Sequence, residues 1–112
     1  MDFDTYDVAA ARTARRAPGE ELDPRTHLAV MALGLTGEAG EVADLIKKHI
    51  GHGHPLDSVK LVKELGDVLW YLAAICDALN TSLDHVAVTN IEKLKARYPD
   101  GFTHAASNNR SV

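Results

Sequence analysis

Glu38 and Glu41 are separated by three positions, as are Glu64 and Asp67, and each pair lies in a stretch whose apolar residues recur at helical spacing. A spacing of three brings two side chains onto one face of a helix. Four carboxylates on two neighbouring helices would repel one another unless a cation lay among them, and oxygen-only ligands suit magnesium or manganese. The competing reading is an ordinary acidic surface paired with Lys47, Lys48, Lys60 or Lys63, an arrangement that is common and weak. Angular position favours the metal. At about 100° per residue Glu38 falls between Met31 and Leu45, Glu41 lies at the edge of that arc, and Glu64 and Asp67 flank Val68 and Ile75, with Tyr71 one turn beyond. Acids that border a core carry a desolvation cost that a bound cation removes.

Helical signals dominate the elements that must carry these side chains. A first helix is predicted from Asp4 to Arg16, capped by Asp2 or Asp4 and ended by Ala17-Pro18-Gly19, with Glu20 to Arg25 following as a loop. The second runs from Thr26 to Ile50, with Leu28, Met31, Leu35, Val42 and Ile46 on one side, until Gly51, Gly53 and Pro55 stop it. Asp57 or Ser58 begins a third that reaches about Asn80, with Leu61, Leu65, Val68, Leu72, Ile75 and Leu79 as its stripe. Ser82 or Asp84 begins a fourth that ends before Pro99-Asp100-Gly101, and the small polar tail from Thr103 to Val112 is expected to fray. The fold class is therefore all-α, an antiparallel four-helix bundle in one domain over residues 1–102. With few aromatics and a short first helix, the bundle is expected to be completed by a second subunit, giving a homodimer or homotetramer.

Composition narrows the function. The 112 residues suffice for one modest core. A net charge of −4 without a basic stripe argues against binding a nucleic-acid polymer. No apolar run reaches membrane-spanning length and the acidic N-terminus is unlike a signal peptide, so no membrane partner and a cytoplasmic location are expected. Cys76, the single cysteine, excludes an internal disulfide and reads as a packed thiol. Gly34, Gly37, Gly40 and Gly66 interrupt helical stretches at about 1 kcal/mol each relative to alanine, which points to close helix approach or ligand access.

Three ordered segments, Gly34-Leu-Thr-Gly-Glu-Ala-Gly-Glu-Val42, Lys63-Glu-Leu-Gly-Asp-Val-Leu-Trp-Tyr-Leu72 and Asn90-Ile-Glu-Lys-Leu-Lys-Ala-Arg-Tyr-Pro-Asp-Gly-Phe102, closely resemble the MazG-like, all-α nucleoside triphosphate pyrophosphohydrolases. The shared signature is ExxE, a variable interval, then ExxD, and the resemblance covers about residues 26 to 102. It implies hydrolysis of a nucleoside triphosphate, usually a deoxynucleotide, between its α and β phosphates, as in nucleotide-pool house-cleaning. It assigns Glu38, Glu41, Glu64 and Asp67 as magnesium ligands, with manganese a possible substitute and Glu38 as proton acceptor from the attacking water. Tyr71 matches a nucleotide-contacting position, and Asn90, Lys93, Arg97 and Tyr98 match a motif in which cations meet the triphosphate tail, a task in which Lys48 could share.

Some relatives carry a third acid where this chain has Gly37, which leaves a third metal ligand unsupported, and Asp44 turns away from the apolar arc. His49, His52 and His54 read as a polar loop rather than a metal site, and Trp70 as a subunit contact on the side away from Tyr71's neighbours. A di-iron bundle needs Glu-x-x-His pairs, which are absent here. Two other readings stay open: a phosphoribosyl-ATP pyrophosphohydrolase-like enzyme, and a non-catalytic helical module that binds metal or oligomerises.

Overall fold

The computed structural model describes residues 1–109, and within them every regular element is helical. Each helix begins at a side-chain cap. Asp2 starts α1 (Phe3–Ala14) by accepting the Thr5 N–H at 2.8 Å. Asp23 starts α2 (Pro24–His52), taking the Thr26 N–H at 3.0 Å on one oxygen and the Thr26 hydroxyl at 2.6 Å on the other. Asp57 starts α3 (Ser58–Ala78) through the Lys60 N–H at 3.0 Å, and Ser82 starts α4 (Leu83–Arg97) through the His85 N–H at 3.1 Å. These bonds satisfy amide donors that a helix start leaves without intrahelical partners.

Both ends of α2 differ from the sequence reading. The stretch assigned to a loop already turns helical at Pro24, because proline at the first helical position brings the right φ and loses no hydrogen bond. At the other end α2 runs past Gly51 to His52, and Gly53, at φ 70° in the left-handed region, closes it. The polar tail also gains a single turn, α5 (His104–Asn108), capped by Thr103 through the Ala106 N–H at 3.0 Å. The expected fraying of residues 110–112 lies outside the described residues.

The long helices pack unevenly. α2 and α3 form an antiparallel hairpin, while α1 and the start of α4 gather on another side of α3. The buried residues are Met31, Ala73, Ala74, Cys76 and Leu83, with Tyr6, Ala10 and Leu69 leaning on the cluster of Ala73, Cys76 and Leu83. This corrects the expected core. Of the stripe expected on α3 only Leu61, Val68 and Ile75 are half-buried, whereas Leu65, Leu72 and Leu79 remain 49%, 39% and 58% exposed. Small side chains allow α1 to approach α3 closely, and the alternate line of large leucines is left uncovered. Cys76 is the packed thiol expected, its pKa raised by burial and then by the nearby Asp7 charge.

A single chain is consequently open in shape. Its radius of gyration is 17.4 Å over extents of 53 × 40 × 28 Å, against about 13 Å for a closed domain of this length. It exposes 8347 Å², where a compact monomer of its mass would expose about 6,000 Å². Among the described residues no helix is long and apolar enough to cross a membrane.

Candidate active site

The α2–α3 hairpin brings three of the four acids together. One carboxylate oxygen each from Glu38, Glu64 and Asp67 lies within 4.8 Å of the others. Glu38 and Glu64 are half-buried and Asp67 is exposed. Glu41, one turn along α2, is exposed and outside this trio, although its charge still reaches Glu38.

Crowding shows in the proton affinity of Glu38. Its carboxyl is pushed above the usual glutamate range, first by desolvation, then by the charges of Asp67 and Glu64, a hydrogen bond with Glu64, and the charge of Glu41. Like charges sharing a site have this effect on a carboxylate. None of the four acids has an ion pair among the described residues. The lysines that could have neutralised them turn elsewhere: Lys48 and Lys47 meet Asp44 at 2.8 and 3.2 Å. Asp44 has its carboxyl held below the usual range by these two lysines. A hard divalent cation fits a donor set of converging, unpaired carboxylate oxygens.

The cleft beside the trio is lined by Thr13, Glu38, Asp67, Trp70 and Tyr71. Tyr71 lies against the α2 backbone at Gly34, where a Cβ would fall inside the phenol ring. The close approach expected of the glycines is realised there, whereas added Cβ atoms at Gly37, Gly40 and Gly66 would meet nothing within 4 Å. Trp70 stacks edge-on against Tyr71, with ring centroids 4.9 Å apart at 85°, and its indole N–H donates to the Thr13 hydroxyl at 2.7 Å. Trp70 was expected on the side away from Tyr71's neighbours; α1 covers that side and makes it a wall of the cleft. Thr13 and Trp70 were not singled out from the sequence as site residues. The available signal was the indole donor, which seeks a partner when half-buried.

Between residues 25 and 102 the chain matches the model of the MazG nucleotide pyrophosphohydrolase domain. The chain belongs to the MazG nucleotide pyrophosphohydrolase family. It is also similar, at 33% identity over 114 residues, to the Gene 37 protein of Mycobacterium phage L5, an alignment that covers 98% of this chain and all of that protein. No solved structure gives a significant match.

The remaining MazG-motif residues lie apart from the acids. Asn90 and Lys93 line a depression on α4 with Thr81, His85, Val86 and Thr89, and it shares no residue with the acidic cleft. The Arg97 guanidinium carbon is 5.9 Å from the Tyr98 ring centroid, and Tyr98 in turn leans on Phe102 at 5.4 Å. Lys48 is held by Asp44. Of the expected substrate contacts, Tyr71 alone borders the trio's cleft. The histidines form no metal group among the described residues: His49 donates from Nδ1 to the His54 carbonyl at 2.7 Å, and the His52 and His54 rings meet edge-on.

Proposed function

We propose that this chain hydrolyses nucleoside triphosphates, deoxynucleotides among them, to the monophosphate and pyrophosphate with magnesium or manganese as cofactor, as an enzyme of nucleotide-pool house-cleaning. The observation that carries this reading is the convergence of Glu38, Glu64 and Asp67, with no ion pair to a cationic side chain among the described residues. Glu38, Glu64 and Asp67 would hold the cation, with Glu41 a turn away as a further ligand. When bound, the cation neutralises phosphate oxygens as charge develops on the leaving group.

The chain's own groups supply the rest. Water adds its oxygen to the α phosphorus, the bond to the bridging oxygen breaks, and pyrophosphate leaves with the electron pair. Glu38, made more basic by its neighbours, accepts the proton that the water loses. Tyr71, fixed between Gly34 and Trp70, forms the wall against which the nucleotide rests.

A second copy of the chain belongs to the same proposal. The line of Leu65, Leu72 and Leu79, with Leu28 and Ile46 on α2, is apolar and exposed. The surplus surface, about 2,000 Å² per chain relative to a compact monomer, is in the range an obligate pair buries. Since α4's cations and the acids share no cleft within one chain, Asn90, Lys93, Arg97 and Tyr98 are assigned to a triphosphate bound by the neighbouring chain.

Two measurements test the proposal. Purified protein with magnesium or manganese and a panel of triphosphates should release monophosphate and pyrophosphate, and Glu64→Gln should abolish turnover with helicity intact. Intact triphosphates throughout would leave only a metal-binding module, and diphosphate with orthophosphate would mean the wrong bond. For the shared site, mixing and reannealing inactive Glu64→Gln with inactive Lys93→Ala chains should restore part of the activity. No recovery would place both groups in one chain's site.

A further inference from the structure

α1 lies before the family match, which begins at residue 25, yet it supplies a wall residue of the acidic cleft. Glu38 comes from α2, and Asp67, Trp70 and Tyr71 come from α3, whereas Thr13 comes from α1.

The direction of two hydrogen bonds defines what Thr13 does there. An indole N–H can only donate, while a hydroxyl has one proton to give and lone pairs to accept with. The Thr13 hydroxyl donates its proton to the Ala10 carbonyl, three residues back, at 2.9 Å. A lone pair is thereby left for the Trp70 N–H, which lies 2.7 Å away. The two bonds run one way, from Trp70 through Thr13 to Ala10, and end on the backbone of α1. That helix is itself tied down near its start, where Asp7 accepts the Leu83 N–H at 3.3 Å.

Packing alone leaves the indole room to move. Its contact with Tyr71 is edge-on, with centroids 4.9 Å apart. It also borders a cavity of about 80 Å³ between α1 and α3, whose lining includes Ala10, Ala11, Ala14, Ala73 and Ala74. The terminal torsion of an aromatic side chain is broad, so a ring beside unfilled space can swing unless a directional bond stops it. Tyr71 is backed by the α2 backbone at Gly34, and a displaced indole would release the phenol on its other flank.

We propose that Thr13 is a positioning residue of the cleft: by accepting the Trp70 N–H it holds the indole against Tyr71 and so fixes the wall on which the nucleotide rests. The proposal rests on the reading of the acidic cleft as a triphosphate site, but its main test does not need turnover. Binding of the α,β-imido analogues of dATP, dCTP, dGTP and dTTP with magnesium is measured by calorimetry. Thr13→Val, nearly the same shape and at an exposed position, should weaken the analogues that wild type binds by about fivefold, the worth of one neutral hydrogen bond. Thr13→Ser keeps the acceptor and should bind as wild type does. In a Trp70→Phe background, where there is no N–H to hold, Thr13→Val should change affinity by less than about twofold. Time-resolved anisotropy of the single tryptophan, Trp70, should gain a fast nanosecond component in Thr13→Val. With a substrate that turns over, the loss should appear in KM and not in kcat.

An equal loss in the Trp70→Phe background would mean that Thr13 meets the nucleotide directly, and would overturn the proposal. So would unchanged affinity or anisotropy in folded Thr13→Val, a Thr13→Ser variant as weak as Thr13→Val, or a wild type that binds none of the analogues. If the analogues bind in this pattern while no triphosphate is cleaved, the hydrolytic proposal fails and the role of Thr13 stands.

Discussion

At the scale of single residues, Glu38 couples proton binding to metal binding. A carboxyl whose folded pKa is raised binds its proton more tightly in the folded chain than in the unfolded one. Without metal, its contribution to stability is therefore fully present below the ordinary glutamate value of 4.5 and is lost as pH rises through the raised folded value. Metal-free protein should lose stability across that window, and added magnesium should restore it at the upper end, where the carboxylate is ionised. Thermal melts at several pH values with and without magnesium check the sign; a metal-free chain that gains stability from this group over the same range would contradict it. Glycines offer a sharper contrast. Gly34→Ala drives a methyl group into the Tyr71 ring and should cost about 1–3 kcal/mol as overpacking. Gly40→Ala meets open space and should stabilise the chain by up to about 1 kcal/mol. Urea midpoints distinguish the two.

At the scale of elements, α3 carries most of the site, and its start depends on one cap. Asp57→Ala should cost about 1 kcal/mol, read as a lower urea midpoint with unchanged slope. The helices were legible in the sequence because caps and apolar periodicity are local: Asp2, Asp57 and Ser82 occupy the cap positions expected of them. Asp23 before Pro24 was an equally local signal, masked by the polar run around it. What could not be read locally was which face of α3 forms the core. The periodicity of Leu65, Leu72 and Leu79 weights large side chains, whereas α1 packs on Ala73, Ala74 and Cys76 because they are small. Trp70 was misplaced for the same reason. The convergence of Glu38, Glu64 and Asp67 was foreseen because helical spacing fixes their faces; the distance of α4 from them depends on tertiary packing that spacing does not encode.

At the scale of the whole molecule, the open shape predicts concentration-dependent stability. A chain that completes its core with another copy gains stability by mass action, so the melting temperature should rise with protein concentration. Leu65→Lys together with Leu79→Lys places charges on the exposed line and should give a monomer by analytical ultracentrifugation, with activity lost if the site is shared. A double variant that stays dimeric would move the interface elsewhere.

The bond from the Leu83 N–H to Asp7 joins positions 76 residues apart, so forming it closes a long loop. Closing so long a loop costs entropy that the α2–α3 hairpin, with its short connection, avoids. The hairpin can assemble first, and α1 then docks across α3 and reaches the start of α4. Since α1 carries Thr13 to the cleft, its docking is expected to finish the fold and the cleft wall together. Hydrogen exchange at the Leu83 amide would time it.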